Sequence, residues 1–138
     1  MTSLNFDRDR QRELFRVILA VSIIIVGLTH FLRPVQYARI VPPPFPAPLM
    51  MVYLSGLFEI LGGIGLMIPA VSTAAAWGLI ILFVAVFPAN VYQAIYHISI
   101  EGIPNQPWLY WVRLPFQIVL IAWAGWYTHE PRTRPRNF

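Results

Sequence analysis

Four runs of apolar residues, 14–32, 49–69, 73–96 and 108–128, take up most of this chain. Each is close to the ~20 residues that a helix needs to cross a bilayer at ~1.5 Å per residue. In hydrocarbon a backbone has no water to bond, so such a run must be helical. A soluble bundle of the same length would carry a polar stripe on every helix, and these runs carry none. Hydrophobic residues make up 57 % of the chain and charged residues 12 %, against roughly 25 % charged in ordinary globular proteins. The sequence therefore predicts an all-α, four-transmembrane-helix antiparallel bundle as one membrane domain, residues 14–128. An N-terminal arm, 1–13, and a basic tail, 129–138, flank it. The first run is not read as a cleaved leader, because its apolar core is long and it ends in His30-Phe31-Leu32-Arg33-Pro34 rather than in small residues.

The charges suggest an orientation. All ten basic residues are arginine; Arg8, Arg10, Arg12 and Arg16 stand at one end, Arg132, Arg134 and Arg136 at the other. The positive-inside rule puts both termini in the cytoplasm, as an even number of spans permits. The net charge of +4 comes from these ends and is no signal for nucleic acid. Cysteine is absent, which excludes disulfides, thiolate nucleophiles and cysteine-bound clusters from the chain's own chemistry. The short turn at 70–72 makes the second and third helices antiparallel neighbours. Pro42-Pro43-Pro44 predicts a stiff, extended strap across the outer side. Tyr53, Tyr92, Tyr96, Trp108, Tyr110 and Trp111 are expected at the outer interface, and Trp123, Trp126 and Tyr127 at the inner one.

Polar residues inside the runs carry the functional information. An ionisable side chain near the bilayer centre costs about 2.5–3.5 kcal/mol on insertion scales, so it turns inward and finds a partner. Glu59 is at mid-depth with Gln117 near its level; Asn90 and Arg113 lie ~8 Å further out, and His30 ~10 Å out. Every helix thus sends a polar group to the outer half and none to the inner half. His30, Glu59, Asn90, Arg113 and Gln117 are the candidate ligand-pocket residues. Asn90, Gln93 and His97 share one helical face, as do Arg113 and Gln117. Two readings stay open: Glu59 with Arg113 as a structural ion pair, or a carboxylate in a polar pocket that binds or protonates a ligand. His97 and Glu101 are expected in water. His30, His97 and Glu59 have no metal-ligand spacing, so no metal site is expected. The glycines at 62, 63 and 65 are read as helix-packing residues.

The string Gly56-Leu57-Phe58-Glu59-Ile60-Leu61-Gly62-Gly63, with His30-Phe31 and Pro88-Ala89-Asn90, resembles the DoxX family of small four-helix membrane proteins. Arg113-Leu114-Pro115-Phe116-Gln117 is similar to the start of the fourth helix in a bacterial subgroup of it. The resemblance covers about residues 14–127 and implies a bacterial inner-membrane protein. That family takes its name from a small subunit of a thiosulfate:quinone oxidoreductase, and some members are associated with oxidative-stress responses. Carried over by position, Glu59 with Gly62 and Gly63 is its helix-two signature and Asn90 its helix-three polar residue. The lack of cysteine departs from the thiol-linked relatives.

Three functions follow as expectations. The first is an accessory or redox-linked subunit whose outer-half pocket binds a quinone-like ligand, the cofactor being otherwise unknown and enzymatic activity left open. The alternative is a non-catalytic assembly protein that grips a membrane partner through Pro43, Pro44 and Phe45. A small-molecule or proton carrier ranks last, because the inner half offers no polar path. Partners expected in all cases are the lipid bilayer and a homo-oligomer or larger membrane complex, with Ala74, Ala75, Ala76 and Gly78 suited to helix contact.

Overall fold

A computed structural model describes residues 2–129. Five α-helices follow in order: α1 (Thr2–Leu32), α2 (Pro34–Ala38), α3 (Pro48–Leu66), α4 (Ser72–Tyr96) and α5 (Pro107–Trp126), closed by a 3₁₀ turn at Tyr127–His129. No strand occurs among the described residues. The arm is helical and continuous with the first apolar run, so α1 crosses residue 13 without a break. The basic tail from 130 onward, with Arg132, Arg134 and Arg136, lies outside the described residues.

Helices α1, α3 and α4 are long and apolar enough to cross a membrane. The fourth run also forms a helix, of 20 residues, but Arg113, Pro115 and Gln117 interrupt its apolar character. Large apolar side chains such as Ile81, Val84, Ile118 and Val119 point outward from the bundle, compatible with contact to lipid acyl chains.

The helices join through small residues. A Cβ placed on Gly27 would stand 2.8 Å from the Gly56 carbonyl oxygen, and one on Gly56 would stand 2.9 Å from that of Gly27. Two turns away, a Cβ on Gly63 would stand 2.8 Å from the Ala20 carbonyl oxygen. These positions recur every seven residues on both α1 and α3, so the two antiparallel backbones touch along one seam. Leu79 of α4 fills the notch at Gly62, and Ala75 packs on Gly65. Ala75 and the buried Ala76 are therefore occupied within the chain, whereas nothing lies near Gly78.

Proline sets the strap. A residue before proline is driven out of helical conformation, and Arg33 takes φ −135°, which ends α1 and lets Pro34 open α2. The strap is not the extended polyproline segment expected from Pro42-Pro43-Pro44. The Phe45 amide donates to the Pro42 carbonyl at 3.1 Å, which folds these residues into a turn. Ala47 is left-handed (φ 50°) and Pro48 starts α3.

The two ends of the bundle have separate cores. At the tail end, Leu19, Ala20, Ile23, Leu66, Ala76, Leu79, Phe83, Ala124 and Tyr127 pack together. At the strap end, Tyr37, Ile40, Val52 and Ile100 form a smaller cluster. Tyr110 and Tyr127 are buried within the bundle; the Tyr110 hydroxyl donates to Asn105 Oδ1 at 2.5 Å.

Candidate functional site

Between the two cores lies a cavity of about 310 Å³, lined by side chains from all five helices. His30, Glu59, Asn90, Arg113 and Gln117 all line it. Its strap-side wall comes from Tyr37, Ile40, Val41, Pro42 and Phe45, so the strap roofs the cavity.

Each polar residue is set by its helix contact. Glu59 stands three residues past Gly56 on α3, and His30 three past Gly27 on α1. The antiparallel crossing interleaves them: His30 Cβ abuts Gly56 and Glu59 Cβ abuts Gly27. His30 Nδ1 is 3.3 Å from Glu59 Oε2. The same nitrogen donates to the Val26 carbonyl at 2.9 Å; a carbonyl only accepts, so Nδ1 carries the hydrogen and aims it along α1. Glu59 Oε2 consequently lies close without a hydrogen bond, and Ser55 Oγ on the same helix face also lacks one. Tyr37 stacks on His30 with ring centres 4.2 Å apart, and its hydroxyl bonds Thr29 Oγ1 at 2.9 Å.

The opposite wall is knitted by amides. Asn90 Nδ2 donates to Gln117 Oε1, and Gln117 Nε2 donates to the Phe83 carbonyl. Arg113 Nη1 donates to Gln93 Oε1 at 2.8 Å, and Gln93 Nε2 donates to the Ile98 carbonyl at 3.0 Å. The ion pair weighed between Glu59 and Arg113 is not formed: Arg113 belongs to the α4–α5 network, Glu59 to the α1–α3 crossing. Gln93, fully buried, is the residue that anchors Arg113. Its signal was the three-residue step from Asn90, which marks a shared face but names no partner. Tyr37 gave no signal, since it falls between apolar runs. His97 and Glu101 are exposed as expected, and Glu101 accepts from Gln36 Nε2 at 2.7 Å.

The tail end overturns the expectation that it holds no buried polar group. Arg16 is only 8 % exposed and Ser72 is fully buried. Arg16 Nη1 donates to the Leu66 carbonyl at 3.1 Å and to Ser72 Oγ. Its Nε donates to Glu13 at 3.2 Å, and its guanidinium lies 4.7 Å over the Tyr127 ring. A charge in this position is acceptable only when so surrounded. Arg16 thus ties together the end of α3 and the start of α4, besides adding to the positive charge of the arm.

Among the described residues no group of three or more His, Cys, Asp and Glu side chains is gathered as metal ligands. What the arrangement can do is bind. It offers one carboxylate oxygen and one hydroxyl that accept or donate no hydrogen bond, a guanidinium with spare donors, and apolar walls. Fold and site together define an all-helical protein with helices suited to a membrane and a polar-lined cavity among them. The chain belongs to the family described as a domain of unknown function, DUF8561, whose model matches residues 19–128. That stretch contains every residue lining the cavity. No curated protein and no solved structure matches the chain.

Proposed function

We propose that this is a DoxX-like protein of a bacterial cytoplasmic membrane, crossing it four times with both ends cytoplasmic. Its cavity would hold the head group of a quinone-like ligand, and the protein would serve as an accessory, redox-linked subunit. The observation that carries the reading is the cavity itself, with Glu59 Oε2 and Ser55 Oγ lacking hydrogen bonds beside it. A buried polar atom without a hydrogen bond costs about 1–3 kcal/mol, so a ligand supplying that bond is favoured there.

Support for α5 as a fourth span comes from how its polar residues are masked. Gln117 is buried and bonded to α4, and Arg113 is bonded to Gln93. Polar groups satisfied inside a bundle are compatible with a membrane-crossing helix. Four crossings return the C-terminus to the side of the arginine-rich arm. No side chain here transfers electrons, so a partner protein or cofactor would supply that step, and the larger complex expected from the sequence belongs to the same proposal. On the strap, Val41, Pro42 and Phe45 line the cavity, while Pro43 and Pro44 are exposed and form the face that the assembly reading would use.

The test is the quinone content of protein purified in mild detergent. Wild type should retain quinone, and Glu59→Gln should retain severalfold less at equal helical content. Equal content in both proteins would count decisively against the reading.

A further inference from the structure

Resting on the reading that the cavity holds an amphiphile's head group, we propose that it is loaded sideways from the lipid through the seam between α1 and α5, where the occupant's hydrocarbon tail stays. The cavity's ~310 Å³ sits at the lower end of the roughly 300–1,000 Å³ seen for small-molecule sites. It has room for a ring-sized head and none for a long chain. A tail must therefore leave, and the structure restricts where it can go.

Each end carries a packed cluster, the buried Tyr37, Ile40 and Ile100 at the strap end and the larger core with Arg16 at the tail end. Of the two lateral seams at issue, that between α3 and α4 is closely packed, with Leu79 at Gly62 and Ala75 at Gly65 filling its tail-end half. The seam between α1 and α5 differs, the two helices scarcely touching. Its contacts lie at the tail end, where Arg12 Nη2 donates to the Trp126 carbonyl at 2.9 Å and Phe15 meets Trp123 at 6.1 Å. At cavity level Val26 and Phe116 stand there, both lining the cavity and yet 46 % and 54 % exposed. Helical spacing agrees: Val26 is on the His30 face but turned away from Gly27, which meets α3, and Phe116 is turned away from Gln117, which meets α4. The rim is apolar and uncharged, suited to an acyl or prenyl chain and not to a solute arriving from water.

Glu59 is the natural reporter, read by peptide mass after carbodiimide labelling of the full chain in phosphatidylcholine vesicles. Membrane-soluble dicyclohexylcarbodiimide should label Glu59, whereas a water-soluble cationic carbodiimide should label Glu101 and spare Glu59. Phe116→Trp and Val26→Trp should each slow Glu59 labelling roughly tenfold, about 1.4 kcal/mol in access, and Val84→Trp, on the outer face of α4 away from the cavity lining, should leave it unchanged. Equal labelling by both reagents, labelling by neither, or slowing by Val84→Trp as large as by Phe116→Trp overturns the route. A decyl-substituted benzoquinone should then protect Glu59, and the same ring without its tail should not. Equal protection by both rings overturns the placement of the tail. Failure of the tailed ring to protect, with the labelling pattern intact, overturns the ligand reading while the lipid-side route stands.

Discussion

The two ends of this bundle use similar materials for opposite purposes. At the tail end, Arg16 spends its donors on the Leu66 carbonyl, Ser72 and Glu13 and rests on Tyr127, within a filled apolar core. At the strap end, Arg113, Asn90, Gln117 and Gln93 bond one another across α4 and α5, but Glu59 Oε2 and Ser55 Oγ across the cavity have no hydrogen bond. At the tail end only Arg12 Nε, of the buried side-chain atoms among the described residues, is left without a hydrogen bond, and it lies over the Trp126 and Tyr127 rings rather than beside a void. A polar group buried among helices is a structural device when its bonds are complete, and a receptor when they are left open beside a void.

Substitutions can break this contrast. The largest effect is expected from Arg16→Met, which keeps volume but strands the Leu66 carbonyl and Ser72 in the packed core. It should lower stability by about 3 kcal/mol, seen as an early thermal midpoint in detergent; an unmoved midpoint would mean that the tail end is not the anchored one. Gly56→Ala comes next, because its Cβ would press on the Gly27 carbonyl and on His30. We expect about 2 kcal/mol of destabilisation from overpacking, together with a loss of retained ligand; stability lost without ligand loss would separate the helix crossing from the site. Asn90→Leu removes one interhelical bond and should cost only about 0.6 kcal/mol. An effect several times larger would show that the α4–α5 wall is as structural as the Arg16 cluster. Smallest of all, Gly78→Ala meets no neighbour and should stabilise by up to ~1 kcal/mol through helix propensity. If it instead destabilises and abolishes cross-linked dimers in membranes, that bare face of α4 is a contact between copies.

Much of the site was legible from the sequence because polar residues inside apolar runs are costly and hence few. Glu59, His30, Asn90, Arg113 and Gln117 stood out for that reason alone, and all five line one cavity. Their pairing was not legible. Spacing along a helix gives the azimuth of a side chain but not which neighbouring helix it meets, so it leaves a Glu59–Arg113 pair open where Gln93 is the partner of Arg113. Arg16 was hidden differently: a basic residue at the edge of a span looks the same whether it faces headgroups or a buried carbonyl. The helices themselves were plain, whereas the strap's turn and α2 were not, because three prolines fix φ without fixing where the chain bends.

The clamp at Arg16 has a mechanical corollary. It pins the adjoining ends of α3 and α4, while their far ends pack only in the smaller strap-end cluster, which makes each helix a lever with its fulcrum at one end. Over the 19 residues of α3, a tilt of ~5° about that fulcrum carries the far tip through ~2.5 Å. A displacement too slight to disturb the pinned end would thus be largest at the strap-side wall of the cavity.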